Sequence, residues 1–356
     1  MWYVINKQNG KKLHLFEENV IIPFFEYMIK YKQKKETSNF DTFLIKLQKQ
    51  NNQKLLKIEK IKYKIYFLEA IKIRLELENK KIDILIYIYK RKHEGFTFSN
   101  QIEQLLKLDE NQLKKQYYIY LYQKREIKKK KTFIQQFDKE IREEWRVIFC
   151  QFYYKKFFNH NRIWEKIGCE RLTRNDFHNN FRNDNDLYVC PYCDLVLNTD
   201  NGNLEIEHFW PSSKYPFLAM NPLNLYSVCK SCNSPQTGKG FKVINPITMP
   251  GYEEIGKKVK FEIDAVYKKI NISSKNKKVN NYIQLLQLQR RYSSEGVYKH
   301  INNKIEGIYQ TLEDSKKKKI LTNDENDIQK YIENINKPKE TEYYFILSDI
   351  LQKYKK

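Results

Sequence analysis

Over residues 1 to 158 the apolar side chains recur at intervals of three and four, the spacing that lines one face of an α-helix. Ile58, Ile61, Ile65, Leu68 and Leu75 form one stripe, and Ile134, Phe137, Ile141, Trp145, Ile148 and Phe152 form a second. Lys72 falls where a coiled-coil seam needs an apolar residue, so ordinary helix packing explains the first stripe better. Pro23, Gly10 and Gly95 are the only proline and glycines in this stretch. Asn100 with Glu103 has the spacing of a capping box, and Asp109 is placed to cap the next helix.

The pattern changes between Asn159 and Pro250, where most of the prolines and two Cys-x-x-Cys pairs lie among short alternating segments. Leu204-Glu205-Ile206-Glu207-His208-Phe209-Trp210-Pro211 and Asn224-Leu225-Tyr226-Ser227-Val228 read as strands. Beyond Pro250, residues 259–263 alternate as a strand that pairs with residues 269–272. Helical spacing then returns at Ile283, Leu286, Ile301, Ile305, Ile308 and Leu312. The expected fold is mainly α with a small α+β insert: a basic helical domain over 1–158, a cysteine-stapled core over 159–250, and a mixed C-terminal segment over 251–356.

Composition narrows the partners. Of 356 residues 41% are hydrophobic and 15% aromatic, enough to build real cores despite a mean hydropathy of −0.76. The formal net charge of +23 points to a polyanion, although Lys, Asn and Ile crowd this chain as they do proteins of AT-rich genomes. Most of the excess lies outside the middle segment. The lysine runs 128–131 and 316–319 read as solvated helix ends, with phosphate contact as the alternative. The strongest apolar run, Ile82 to Tyr89, contains Asp83 and is far short of the roughly twenty residues of a membrane span. With no leader-like N-terminus, the expected compartment is the cytoplasm, where cysteines stay reduced.

Cys190-Pro191-Tyr192-Cys193 and Cys229-Lys230-Ser231-Cys232 supply the four soft thiolates of a tetrahedral structural zinc. Between and just after these knuckles lie Glu207, His208, Asn224 and Asn233. Hydrolysis of a phosphodiester needs a nucleophile made from water, a counter-charge for the transition state and stabilisation of the leaving oxygen. A carboxylate and an amide oxygen suit Mg²⁺ or Mn²⁺, which makes Glu207 and Asn233 candidate ligands. His208, expected on the opposite strand face from Glu207, has an ordinary pKa suited to taking a proton near neutrality. Lys239, Lys242 and Arg182 are candidate phosphate contacts, with Arg171 and Arg174 beside the last of these. His160 and His178 are weaker candidates, and Cys150 and Cys169 read as ordinary thiols.

In order and approximate spacing, Glu207-His208, Asn224 and Cys229-x-x-Cys232-Asn233 resemble the HNH, or ββα-metal, endonuclease superfamily, in particular zinc-containing members such as phage endonuclease VII. The resemblance covers roughly residues 188–245. It implies a ββα nuclease core in which His208 is the general base, Glu207 and Asn233 hold the catalytic metal, and Asn224 braces the loop. Three features depart from the family pattern: Glu for the commoner Asp, Asn233 for the commoner His, and Pro235 and Gly238 where a lysine-bearing helix usually follows. The stretch after Asn245-Pro246 also resembles HNH effectors of bacterial anti-phage systems, Septu-like and retron-associated ones among them. That likeness implies DNA as substrate and a regulatory or partner-docking role for the N-terminal helices. A structure-specific junction resolvase, an RNA substrate, and a non-catalytic zinc module that binds nucleic acid within a larger complex remain open alternatives.

Overall fold

The computed structural model describes residues 1–61, 66–195, 197, 203–317 and 325–353. The helices of the first half are α1 (Lys7–Phe16), α2 (Ile22–Gln33), α3 (Phe40–Glu59), α4 (Tyr66–Tyr89), α5 (Phe98–Leu105), α6 (Glu110–Lys128), α7 (Glu143–Arg146), α8 (Asn161–Ile167) and α9 (Arg174–Asn185). A two-residue hairpin, β1 (Lys92–His93) with β2 (Phe96–Thr97), joins α4 to α5. Next come β3 (Leu204–His208), β4 (Leu225–Cys229) and the single turn α10 (Lys230–Asn233). The last part holds β5 (Lys260–Asp264), β6 (Lys269–Ser273), α11 (Lys277–Leu285), α12 (Leu288–Tyr292), α13 (Glu295–Lys317), α14 (Glu325–Ile335) and α15 (Tyr344–Lys353). The chain is thus mainly helical, with two-stranded antiparallel sheets. No helix among the described residues is long and apolar enough to cross a membrane.

Several local expectations hold for stated reasons. Asp109 caps α6 through a reciprocal box: its carboxylate accepts from Gln112 N at 2.8 Å, and Gln112 Oε1 accepts from Asp109 N at 2.9 Å. β5 pairs with β6 in the expected register, with Phe261 opposite Ile272. Ile283 and Leu286 line the buried side of α11 and its cap, while Ile301, Ile305 and Leu312 line α13.

Other expectations are corrected. The stripe from Ile58 to Leu75 is not one helix: α3 ends at Glu59, Ile61 is exposed in the connection, Leu68 and Leu75 belong to α4, and Ile65 lies outside the described residues. No Gly or Pro marks that break. Ile134, Phe137 and Ile141 lie in a docked loop before α7, not in a helix. Two glutamines of α6 hold its backbone instead, Gln123 donating to Gln135 O at 3.1 Å and Gln116 to Glu140 O at 2.8 Å. Asn100 does not open α5, which starts at Phe98 after Thr97; Glu103 accepts from Tyr89 Oη instead. Lys128 to Lys131 are exposed at the end of α6, and Lys318 and Lys319 lie outside the described residues.

One set of buried side chains runs from Met1 to Leu351 across both expected segment boundaries. Its aromatic centre joins the helices to the hairpin: Phe217, from the loop between β3 and β4, packs edge-on against Phe25, Trp145 and Phe149 at centroid distances of 5.9, 5.9 and 5.0 Å. The helix continuing from α7 widens to π-helical hydrogen bonding over Val147–Lys156. This segment brings Tyr154 against β3, its hydroxyl donating to Ile206 O at 3.2 Å.

Candidate functional site

β3 and β4 pair in antiparallel register from Leu204 opposite Cys229 to His208 opposite Leu225. The hairpin therefore carries the two candidate centres at its two ends, four residues or about 13 Å apart.

At the Cys229 end, the sulfurs of Cys190, Cys193, Cys229 and Cys232 all lie within 4.8 Å of one another. Cys190 and Cys232 are 3.9 Å apart, and Cys193 and Cys229 3.7 Å. A tetrahedral zinc thiolate with Zn–S bonds of about 2.3 Å has S···S edges of about 3.8 Å, so the quartet fits a metal ion such as zinc. These separations are far beyond a disulfide of about 2.05 Å. Two outer contacts complete the cluster. Cys229 N donates to Cys190 Sγ at 3.5 Å, and the guanidinium of Arg291, on α12, donates to Cys232 Sγ at 3.0 Å and Cys193 Sγ at 3.3 Å. Burial works against the Arg291 charge, but the surrounding thiolates outweigh it and raise its pKa further. The first knuckle is also tied to both ends of the fold: Trp2 Nε1 donates to Asp194 Oδ1 at 2.6 Å, and Phe345 N to Asp194 Oδ2 at 3.2 Å.

At the His208 end lies a cavity of about 390 Å³. Its lining includes Glu205, Glu207 and His208 from β3, Asn233 from α10, Tyr154 and Lys155 from the π-helical segment, Arg174 from α9, and Lys239 and Phe241 from the following loop. Glu207 and His208 line the same cavity, although strand alternation sends them to opposite sides. His208 is 8% exposed; its Nε2 lies 3.0 Å from Ala219 O, and its ring stands edge-on to Tyr154 at 4.4 Å. A carbonyl only accepts, so Nε2 carries the proton and Nδ1 keeps the lone pair. Burial pushes the His208 pKa down to about 4, which keeps the ring neutral.

Glu207 is 4% exposed and forms an ion pair with Lys239, which is 1% exposed and also donates to Gly240 O at 2.9 Å. Burial raises the Glu207 carboxyl to about 7 against the opposing pull of Lys239, and burial lowers the Lys239 ammonium. Among the described residues, the four cysteines are the one group of three or more His, Cys, Asp or Glu side chains whose ligand atoms close on one another. Besides the hydroxyl-bearing Tyr154 and Ser212, the side-chain oxygen donors lining the cavity are Glu205, Glu207 and Asn233. That set suits an ion such as Mg²⁺, which keeps water and phosphate ligands and takes one or two carboxylates from a protein.

Asn224 is fully buried and spans the loop between the strands: its Oδ1 accepts from Trp210 N at 2.7 Å, and its Nδ2 donates to Trp210 O at 2.9 Å and Leu218 O at 3.2 Å. Asn233 ends the one-turn α10. Pro235 does not begin a helix; residues 235–238 form a turn.

Lys242 is exposed and lines a separate small cleft with Phe209 and Trp210, so it does not join Lys239. Arg182 sits on α9 away from the cavity, whereas Arg174 reaches it, 5.3 Å from the Tyr154 ring. His178 is buried with Nδ1 2.8 Å from Ser227 Oγ, and His160 rests edge-on to Tyr87, so neither faces the cavity. Cys150 does line it, while Cys169 is half-buried elsewhere. Tyr154, Glu205, Phe241 and Arg291 have no motif spacing and are not recognisable from sequence alone.

Two curated proteins are similar to part of this chain. The Septu protein PtuB of Bacillus thuringiensis is 38% identical over 91 residues, covering 25% of this chain and 32% of that protein. Protein ea31 of Escherichia phage lambda is 32% identical over 91 residues, covering 22% and 28%. The chain spans less than a third of the length of either relative. No family model matches the chain, and no solved structure does.

Proposed function

We propose that this chain is a metal-dependent endonuclease of the HNH type that hydrolyses phosphodiester bonds of DNA and serves in bacterial anti-phage defence. The observation that carries the reading is the His208 geometry: a buried, neutral imidazole with Nε2 held by Ala219 O, beside two carboxylates, an amide and three cationic side chains in one cavity. The similarity to PtuB of the Septu system supports the defence role.

In this reading zinc occupies the four cysteines and fixes the hairpin. Glu207 and Asn233 hold Mg²⁺ or Mn²⁺, which when bound supplies Lewis-acid stabilisation of the phosphoryl oxygens and the departing oxygen. Nδ1 of His208 takes the proton from the attacking water. Asn224 keeps the loop closed, so that Ala219 O continues to set the histidine tautomer. Lys239 pairs with Glu207, which would hold the ion, and Arg174 would offer a guanidinium to the entering phosphate. Partner docking is assigned to the N-terminal helices, where α4 leaves Tyr66, Phe67, Ile73 and Leu77 exposed.

The test is cleavage of supercoiled plasmid, linear duplex and single-stranded DNA by purified protein with Mg²⁺ or Mn²⁺, with EDTA and His208→Ala as controls. Cleavage lost in both controls is expected. Cleavage that survives His208→Ala contradicts the assignment.

A further inference from the structure

Phe241 is 68% exposed and stands on the lining of the cavity that holds Glu207 and His208. The loop that presents it is firmly tied. Gly238 N donates to Ser234 O at 2.8 Å, Lys239 N to Cys232 O at 2.9 Å, and Gln287 Nε2 to Gly238 O at 2.9 Å. Both glycines are required by close approach. A Cβ on Gly238 would run into the carbonyls of Ser231 and Cys232, and Gly240 has φ +52° with its Cβ position 2.7 Å from Pro235 Cα. The loop therefore turns Lys239 inward to Glu207 and holds Phe241 outward at the rim.

The reacting groups lie below the surface: Glu207 and His208 are only 4% and 8% exposed, in a cavity of about 390 Å³. A phosphate must enter to reach them. In a regular duplex each base is stacked on its neighbours, so no base face is offered to a ring beside the phosphate. An unpaired strand can rotate one nucleotide inward and lay its base on an aromatic side chain, with cations tracking the backbone. The rim supplies those cations in Arg174 and Lys155.

We infer that Phe241 is a stacking platform for an unpaired base, and that the substrate of this site is single-stranded or locally unpaired DNA. The inference rests on the nuclease reading above. Stacking on a ring tolerates every base, so little sequence preference accompanies it.

The experiment measures binding by fluorescence anisotropy in the His208→Ala background, with a labelled 20-nucleotide single strand and the matching blunt duplex as probes. Phe241→Ala is expected to weaken single-strand binding about tenfold, within the range of one lost base–aromatic stack, and to change duplex binding less than twofold. Phe241→Trp is expected to keep the single-strand affinity, with tryptophan fluorescence quenched by the single strand and not by the duplex. Because the ring is exposed, its removal leaves no cavity, and unchanged circular dichroism checks the fold. Equal loss on both probes, or no loss on either, overturns the inference. The two readings fail separately. Wild-type protein that cuts no DNA while Phe241→Ala still discriminates between the probes overturns the nuclease reading alone. DNA cleavage with an indifferent Phe241→Ala overturns the stacking inference alone.

Discussion

The two ends of the β3–β4 hairpin solve opposite problems with buried polar groups. At the Cys229 end, the sulfur ligands face one another at the edge lengths of a metal tetrahedron, backed by Arg291 and a backbone amide, so the site is closed. At the His208 end, the groups face a cavity, and Glu207 is answered by the ammonium of Lys239. A closed ligand set suits a structural ion, whereas a site that does chemistry must keep positions open. The short hairpin lets the first end hold the second in place.

The largest effect should come from opening the closed end. Cys232→Ser is expected to release zinc and unfold the core, because zinc binding in such sites is worth about 10 kcal/mol or more of folding free energy. Metal content by plasma mass spectrometry together with circular dichroism checks this, and a stable zinc-free variant would erase the distinction between the two ends. At the open end, Lys239→Met strands a buried carboxylate and is expected to cost about 3–5 kcal/mol, visible as a lower melting temperature. Adding Glu207→Gln should restore most of that loss; a double variant no better than the single one would show that the charges are not coupled.

Between the ends, His178 bonds Ser227 on β4, and burial, with Arg174 and Arg182 adding to it, pushes its pKa down to about 4. Between about 6.5 and 4 the unfolded chain binds a proton that the folded chain refuses. Its stabilising contribution is therefore complete above about pH 6.5 and is lost on acidification, by at most on the order of 3 kcal/mol. Urea unfolding of wild type and His178→Asn across this range checks the sign, since the variant should lose less stability toward pH 4. The smallest effect is expected at Arg291. Arg291→Met should keep zinc but yield it to a chromophoric chelator about 10–100-fold more readily, in line with loss of an outer-shell partner.

Much of this contrast is legible in the sequence wherever the chemistry is local. The -x₂- spacing of Cys190/Cys193 and Cys229/Cys232 announces the quartet, and the alternation of residues 204–208 and 225–228 announces the hairpin that carries it. Asp109 with Gln112 is likewise a short-range signal. What is hidden depends on distant partners. Arg291 follows Cys232 by 59 positions and reaches it through the packing of α12. Tyr154 arrives on a π-helical segment and falls outside the stripe of Trp145, Ile148 and Phe152 that helical spacing picks out there. The loop holding Ile134 and Ile141 has helical spacing without being a helix: its carbonyls at Gln135 and Glu140 accept from glutamines of α6. Lys239 and Lys242 look equivalent in sequence, but the tight turn at Gly240 turns one to Glu207 and leaves the other in a separate cleft.

The central claim is that the closed end maintains the fold while the open end does the chemistry. Its most direct test is zinc content and DNA cleavage measured on the same preparations of wild type and His208→Ala. The account predicts equal zinc, close to one per chain, in both proteins, and cleavage reduced by about 10² or more in the variant. Cleavage undiminished by His208→Ala, or a variant that loses zinc along with activity, would contradict it.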